Sequence, residues 1–182
     1  MAGANCVVLE TTDQRVSISA FMDQHKTFQD IPIVAAATAY DYADTGVTYI
    51  LILGQAIYMG DTMPNTLLCP NQLRANGIIV DNCPKHLVPP NRPSAHALVC
   101  QDQDIQIALN LQGATSYFVT RTPTVNEIET CQWAHLSDEH NWDPHSDQFQ
   151  QQEERYDDLQ EYSRDPTSRN IYSYIAPPTP HH

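Results

Sequence analysis

Basic residues are scarce in this chain of 182 residues: nine Lys and Arg stand against 22 Asp and Glu, giving a formal net charge of -13. Neutralising phosphates requires clustered cations, so neither direct binding of nucleic acid nor a membrane partner is expected, and the acidity serves solubility. Long hydrophobic runs are also missing. The longest, Tyr49 to Leu53, is the size of a strand and far below the roughly 18 to 20 residues of a membrane-crossing helix. The start of the sequence has no basic segment leading into an apolar one, and a cytoplasmic, intracellular location is expected. Cysteine pairs in Cys-x-x-Cys spacing are absent. Cys6, Cys69, Cys83, Cys100 and Cys131 are odd in number and far apart, which reads as reduced thiols serving mostly as small core residues. Glycine-rich phosphate loops and Gly-x-Ser-x-Gly are missing too, so nucleotide, dinucleotide and acyl-transfer chemistry have no foothold and no cofactor is expected.

What the sequence does contain is short segments of strand-like patterning. Arg15 to Ala20 alternates, with Val16, Ile18 and Ala20 on one face, the period of a half-buried strand. With the apolar run Cys6 to Leu9 before it and Asp13-Gln14 between, Asn5 to Ala20 reads as a hairpin. Ile31 to Tyr40 is a second apolar stretch, Asp41 to Gly46 is turn chemistry, and Val47 to Leu53 is the strongest strand. Gln55 to Met59 reads as a separate strand after Gly54. Asn65 to Ala75 suits a short helix with Leu67, Leu68 and Leu73 inward, Pro70 in its first turn and Gly77 closing it. Ile78 to Val80 is a strand, Asp81 to Ser94 a Pro-rich connector, and Ile105 to Val119 a hairpin about Gly113. Thr124 and Glu127 make a capping box for a short helix to about Cys131. From Asp147 onward, Gln, Glu, Asp and Arg dominate and apolar residues are few; such a segment cannot offset its ordering entropy. The expectation is therefore an all-β, mainly antiparallel domain over 1–145 with short helices. A disordered acidic, Gln-rich tail over 146–182 follows, with a transient helix around Glu153 to Tyr162.

Three constellations invite a chemical reading. Asp44-Thr45-Gly46 spells the aspartic-peptidase tripeptide, whose chemistry needs a second aspartate sharing one proton. Here it follows Tyr42-Ala43 and precedes a long strand, the place of an exposed hairpin turn. Cys131, His135, His140 and His145 could be drawn as a zinc site, yet they lack the tight ligand pair that closes a tetrahedron, and a solvated His-bearing edge explains them. Cys83, His86, His96 and Cys100 allow a Cys–His pair on paper, but core thiols and surface imidazoles are the simpler reading.

A family resemblance enters at residues 47 to 80. Val47-Thr48-Tyr49-Ile50-Leu51-Ile52-Leu53-Gly54-Gln55-Ala56-Ile57-Tyr58-Met59-Gly60, followed by Asn65-Thr66-Leu67-Leu68-Cys69-Pro70-Asn71-Gln72-Leu73-Arg74-Ala75-Asn76-Gly77, resembles the protease segment of copia-type retrotransposon polyproteins. Asp30-Ile31-Pro32-Ile33-Val34 and Arg121-Thr122-Pro123-Thr124 extend the likeness to roughly residues 2 to 145. The resemblance implies an incomplete retropepsin-like barrel, from a family of aspartic peptidases that work as homodimers. In that family the catalytic Asp-Ser/Thr-Gly-Ala turn lies just before the stretch matching Ala2 to Glu10, so it has no matching position here, and Asp44 matches the hairpin-turn region. The expectation is a retrotransposon-derived, protease-like domain without peptidase activity. Alternatives are a non-catalytic module that binds a polyprotein-derived peptide or dimerises, and an active aspartic endopeptidase using Asp44. Because a structural zinc site couples metal binding to folding, titrating zinc into the reduced protein is expected to leave its melting temperature unchanged; a large rise would establish the Cys131–His145 site.

Overall fold

The computed structural model describes residues 1–19, 27–89, 91, 94–138, 143, 146, 147 and 149–151. The chain divides into two compact units, Met1–Trp142 and Asp143–His182. The first is mainly β. Its elements run β1 (Ala2–Gly3), β2 (Val7–Ile18), β3 (Phe28–Tyr42), β4 (Val47–Gly60), α1 (Pro70–Ala75), β5 (Ile79–Asp81), β6 (Ala97–Cys100), β7 (Ile105–Ala108), β8 (Asn110–Gln112), β9 (Thr115–Tyr117), α2 (Val125–Thr130) and β10 (Gln132–Ser137). The large sheet has the order β1-β4-β3-β2, with β10 also on β4; β5-β6-β7 form a second sheet and β8-β9 a two-stranded ribbon. Pairing is antiparallel except that β1 and β10 both run parallel to β4, β10 along Tyr49 to Leu53 and β1 at Tyr58 and Gly60. No sheet closes into a barrel among the described residues, and no helix among them is long and apolar enough to cross a membrane.

Strand β4 organises this unit. Ile50, Leu51, Ile52 and Leu53 are all buried, because Leu51 and Leu53 join the main core while Ile50 and Ile52 pack with Ala37 and Ala39 on the other face. A strand covered on both faces reads as a continuous apolar run, which is what Tyr49 to Leu53 is. Each buried Leu or Ile contributes roughly 1.5–3 kcal/mol. The alanines of β3 leave room for these larger neighbours.

Several elements differ from the sequence-based expectation. Asn5 to Ala20 is no hairpin: Val7–Ile18 is one strand along β3, and Ala20 lies outside the described residues. Thr11 pairs with Val34 and Arg15 with Pro32, so extra residues bulge where Asp13-Gln14 had suggested a reversal. Thr12 Oγ1 donates to the Ile33 carbonyl at 2.8 Å and accepts from Gln14 N at 3.2 Å, pinning the bulge. Pro32 opposite has no N–H to lose. Gly54 does not break β4 either; its buried N–H donates to Ser137 Oγ at 3.1 Å, keeping the strand satisfied beside the end of β10.

Helix α1 starts at Pro70 instead of Asn65, and Leu67, outside it, is 56% exposed. Leu73 is its buried residue. Gly77 N donates to Arg74 O and Ile78 N to Leu73 O, a left-handed glycine closure that seats Ile78 on Leu73. The capping box of α2 is present in both directions. β6 and β10 had no sequence-based assignment. From Asp147 onward only Asp147, Phe149, Gln150 and Gln151 are described, and they are helical, with Phe149 N donating to Ser146 Oγ. The expected tail, including Glu153 to Tyr162, otherwise lies outside the described residues.

A polar clasp ties α2 to the large sheet. Arg121 exchanges backbone hydrogen bonds with Ala39. Its guanidinium grips Asp41 with two bonds of 2.9 Å and Glu127 at 3.0 and 2.6 Å. Arg121, then the Thr124 N–H and hydroxyl, hold the Glu127 carboxyl down at about 2; Arg121 and Thr48 hold Asp41 below its usual range. A carboxyl depressed by folding stabilises fully above its unfolded value and loses that contribution as pH falls. The melting-temperature gap between the wild-type chain and Glu127→Gln is therefore expected to be largest near neutral pH. It should close as pH drops from about 4.5 towards 2, and shrink with added salt because the clasp is exposed.

Candidate functional site

The loop after β4 and the β9 segment face each other across a groove of about 810 Å³. One wall is the run Pro64–Leu68 with Pro70 and Leu73; the other is the run Ala114–Thr120. Leu53, Val80, Leu98, Leu109 and Leu136 supply the apolar floor. None of the described lining residues carries a carboxylate, imidazole, thiol, ammonium or guanidinium group.

The first wall is built by the N-terminal segment. Met1 and Leu67 exchange hydrogen bonds, from the Met1 ammonium to Leu67 O at 2.8 Å and from Leu67 N to Met1 O at 2.9 Å. Ala4 N donates to Met63 O at 2.9 Å. This close approach needs glycine at position 3, since a Cβ there would lie 2.5 Å from Met63 O and 2.9 Å from Asn65 O. Thr66 is the junction: its hydroxyl accepts from Gly3 N at 3.1 Å, donates to Asn5 Oδ1 at 2.7 Å and lies 3.2 Å from Cys6 Sγ. Asn5 in turn donates from Nδ2 to Thr120 Oγ1 at 2.6 Å, joining the two walls at one end of the groove. Thr38 Oγ1 lies 3.2 Å from Asn5 O and 3.1 Å from Arg121 O, within donating distance of both.

The second wall is held by His96. This buried residue sits in the left-handed region at φ 48° just before β6, a conformation that costs energy for a residue with a Cβ. Its Nε2 is 2.9 Å from Ser116 Oγ. Asp81 fixes the backbone around it: Oδ2 accepts from Ser94 Oγ at 2.9 Å, Ala95 N at 2.8 Å and His96 N at 3.3 Å. Burial opposes ionisation of Asp81, but these bonds and one from Cys83 N outweigh it and hold its carboxyl below the usual range.

The described residues among those singled out by sequence do not line the groove. Asp44, Thr45 and Gly46 form the exposed turn between β3 and β4. Gly46 is at φ 71° with its N–H on Tyr42 O, and Thr45 Oγ1 accepts from Val47 N. Cys131 packs against the Ile50–Ile52 face, whereas His135 is exposed on β10 beside Trp133. His140 and His145 lie outside the described residues, and no group of three or more His, Cys, Asp or Glu is placed to hold a metal among the described ones. Cys83 and His86 are exposed, while His96 meets Ser116. Burial first, then Asp102, pushes the Cys100 thiol up to about 11, and burial likewise raises Cys6, so neither is a ready thiolate.

Sequence reasoning missed Asn5, Thr66, Ser116 and the role of Asp81, since no motif spacing links residues so far apart. No family model, curated protein or solved structure matches the chain. Thr66→Val keeps the shape of the junction but strands the Gly3 N–H and Asn5 Oδ1. It is expected to destabilise the protein by about 1–3 kcal/mol, measured by urea unfolding, whereas Thr62→Val on the exposed turn should cost much less.

Proposed function

We propose that this chain is a protease-like β domain derived from a copia-type retrotransposon polyprotein, without peptidase activity, whose groove receives a peptide. The observation that carries the reading is the composition of the groove: a wide apolar floor with hydroxyl and amide groups in its walls, and no acid or base among its described lining residues. Concave, largely apolar sites with a few fixed polar groups are suited to binding. Hydrolysis by aspartic-peptidase chemistry needs two carboxylates about 3 Å apart sharing one proton. Asp41, Asp81 and Glu127 have lowered values because hydrogen bonds hold them ionised, and none of them lines the groove.

The family element of the proposal rests on the resemblance over residues 47 to 80, a stretch that includes the wall-forming Asn65-Thr66-Leu67-Leu68. The tripeptide just before it, Asp44-Thr45-Gly46, is a solvent-exposed hairpin end. The 182-residue chain is therefore expected to show no pepstatin-sensitive cleavage of casein or of polyprotein-derived peptides between acidic and neutral pH. Asp44→Asn should change nothing. Pepstatin-sensitive turnover that disappears in Asp44→Asn would overturn the proposal in favour of an active endopeptidase.

A further inference from the structure

We infer that the groove takes an uncharged, strand-forming peptide segment by adding it to the free edge of β9; this rests on the reading of the groove as a peptide site. Ala114–Thr120 line it as an unbroken run. Consecutive residues line a groove together when the backbone runs along it, whereas a segment that crosses it would contribute one or two. Within that run β9 pairs with β8 and with no other strand among the described residues, while β8 contributes only Gln112 to the lining. The edge of β9 away from β8 thus faces the groove, with main-chain donors and acceptors of the kind that capture extended peptides.

The side chains of this wall leave that work to the backbone. Ser116, Phe118 and Thr120 are half-buried, alternating with exposed Thr115, Tyr117 and Val119. Ser116 is tied to His96 at 2.9 Å and Thr120 to Asn5 at 2.6 Å, so the inward hydroxyls already have partners and pin the strand in place. The strand itself is Thr115–Tyr117, roughly 10 Å at about 3.3 Å per residue, so it pairs with a segment of matching length at the centre of the occupant. An ionised side chain entering the groove would lose water and find no countercharge among the described residues that line it. Apolar and hydroxyl side chains would instead meet Leu67 and Val119, which are 56% and 72% exposed on opposite walls.

The test uses the full chain and a blocked heptapeptide of alternating valine and threonine carrying a neutral fluorophore, read by fluorescence polarisation. The expected result is saturable binding that weakens at least tenfold when one alternate set of peptide amides is N-methylated, and much less when the other set is. Replacing inward residues of the peptide by lysine or glutamate should also weaken binding at least tenfold. Leu67→Lys or Val119→Lys, on exposed positions that leave the fold intact, should weaken the neutral peptide and restore binding of the glutamate-bearing one. Binding that ignores N-methylation, or that accepts charged peptides equally, would overturn strand addition to β9 while leaving a peptide groove standing. No saturable binding of any of these peptides would overturn the groove reading and this inference together.

Discussion

The rest of the structure depends on β4 being paired along both edges and buried on both faces. Its antiparallel side is filled by β3 and its other side by two parallel partners, β10 along the first half and β1 at the far end. A single strand thereby joins the first residues of the unit to β10. The main core then grows from Leu51 and Leu53 towards Leu98, Ile105 and Ile107 of the second sheet. Parallel neighbours demand long connections, and the segments from Gly3 to β4 and from β4 to β10 are those connections. The groove is a consequence of this arrangement: the chain leaving β4 turns back past β1, and Met63, Thr66 and Leu67 are hydrogen-bonded to Ala4, Gly3 and Met1 on the way.

Polar side chains hold the groove open by tying its walls to the core. Asn5 and Thr66 fix one end, His96 and Asp81 fix the other wall from beneath, and the Arg121 clasp locks the segment that follows β9 onto β3. Each tie is a hydrogen bond or exposed ion pair of modest net worth. Their effect is directional: each fixes one backbone segment against another. Asp41, Asp81 and Glu127, the acids that stand out electrostatically, all serve such ties, and the hydrogen bonds that make the ties are what lower them.

Much of this was legible in the sequence where the signal was local. The run Val47 to Leu53, the turn at Asp41 to Gly46, the capping box at Thr124 and Glu127, and Gly77 as a left-handed helix end each depend on neighbouring residues only, and each is present. Signals failed where a distant partner decides the outcome. Asp13-Gln14 has turn chemistry, yet Thr12 and the donor-free Pro32 across the ladder make it a bulge. Gly54 looks like a break, yet Ser137 satisfies its N–H. Trp133 to Ser137 is polar enough to suggest the edge of the domain, yet Ala134 and Leu136 alternate into the core beside β4.

The sequence by itself determined the β class and the short helices, because alternation, turn chemistry and residue type act over a few positions. Only the tertiary structure decided that Asn5 meets Thr66 and Thr120, that His96 meets Ser116, and that Leu67 and Val119 face one groove. These contacts join segments up to 115 residues apart in the chain. No periodicity encodes such a meeting; it follows from the parallel seating of β1 and β10 on β4, which brings both ends of the unit to the same strand.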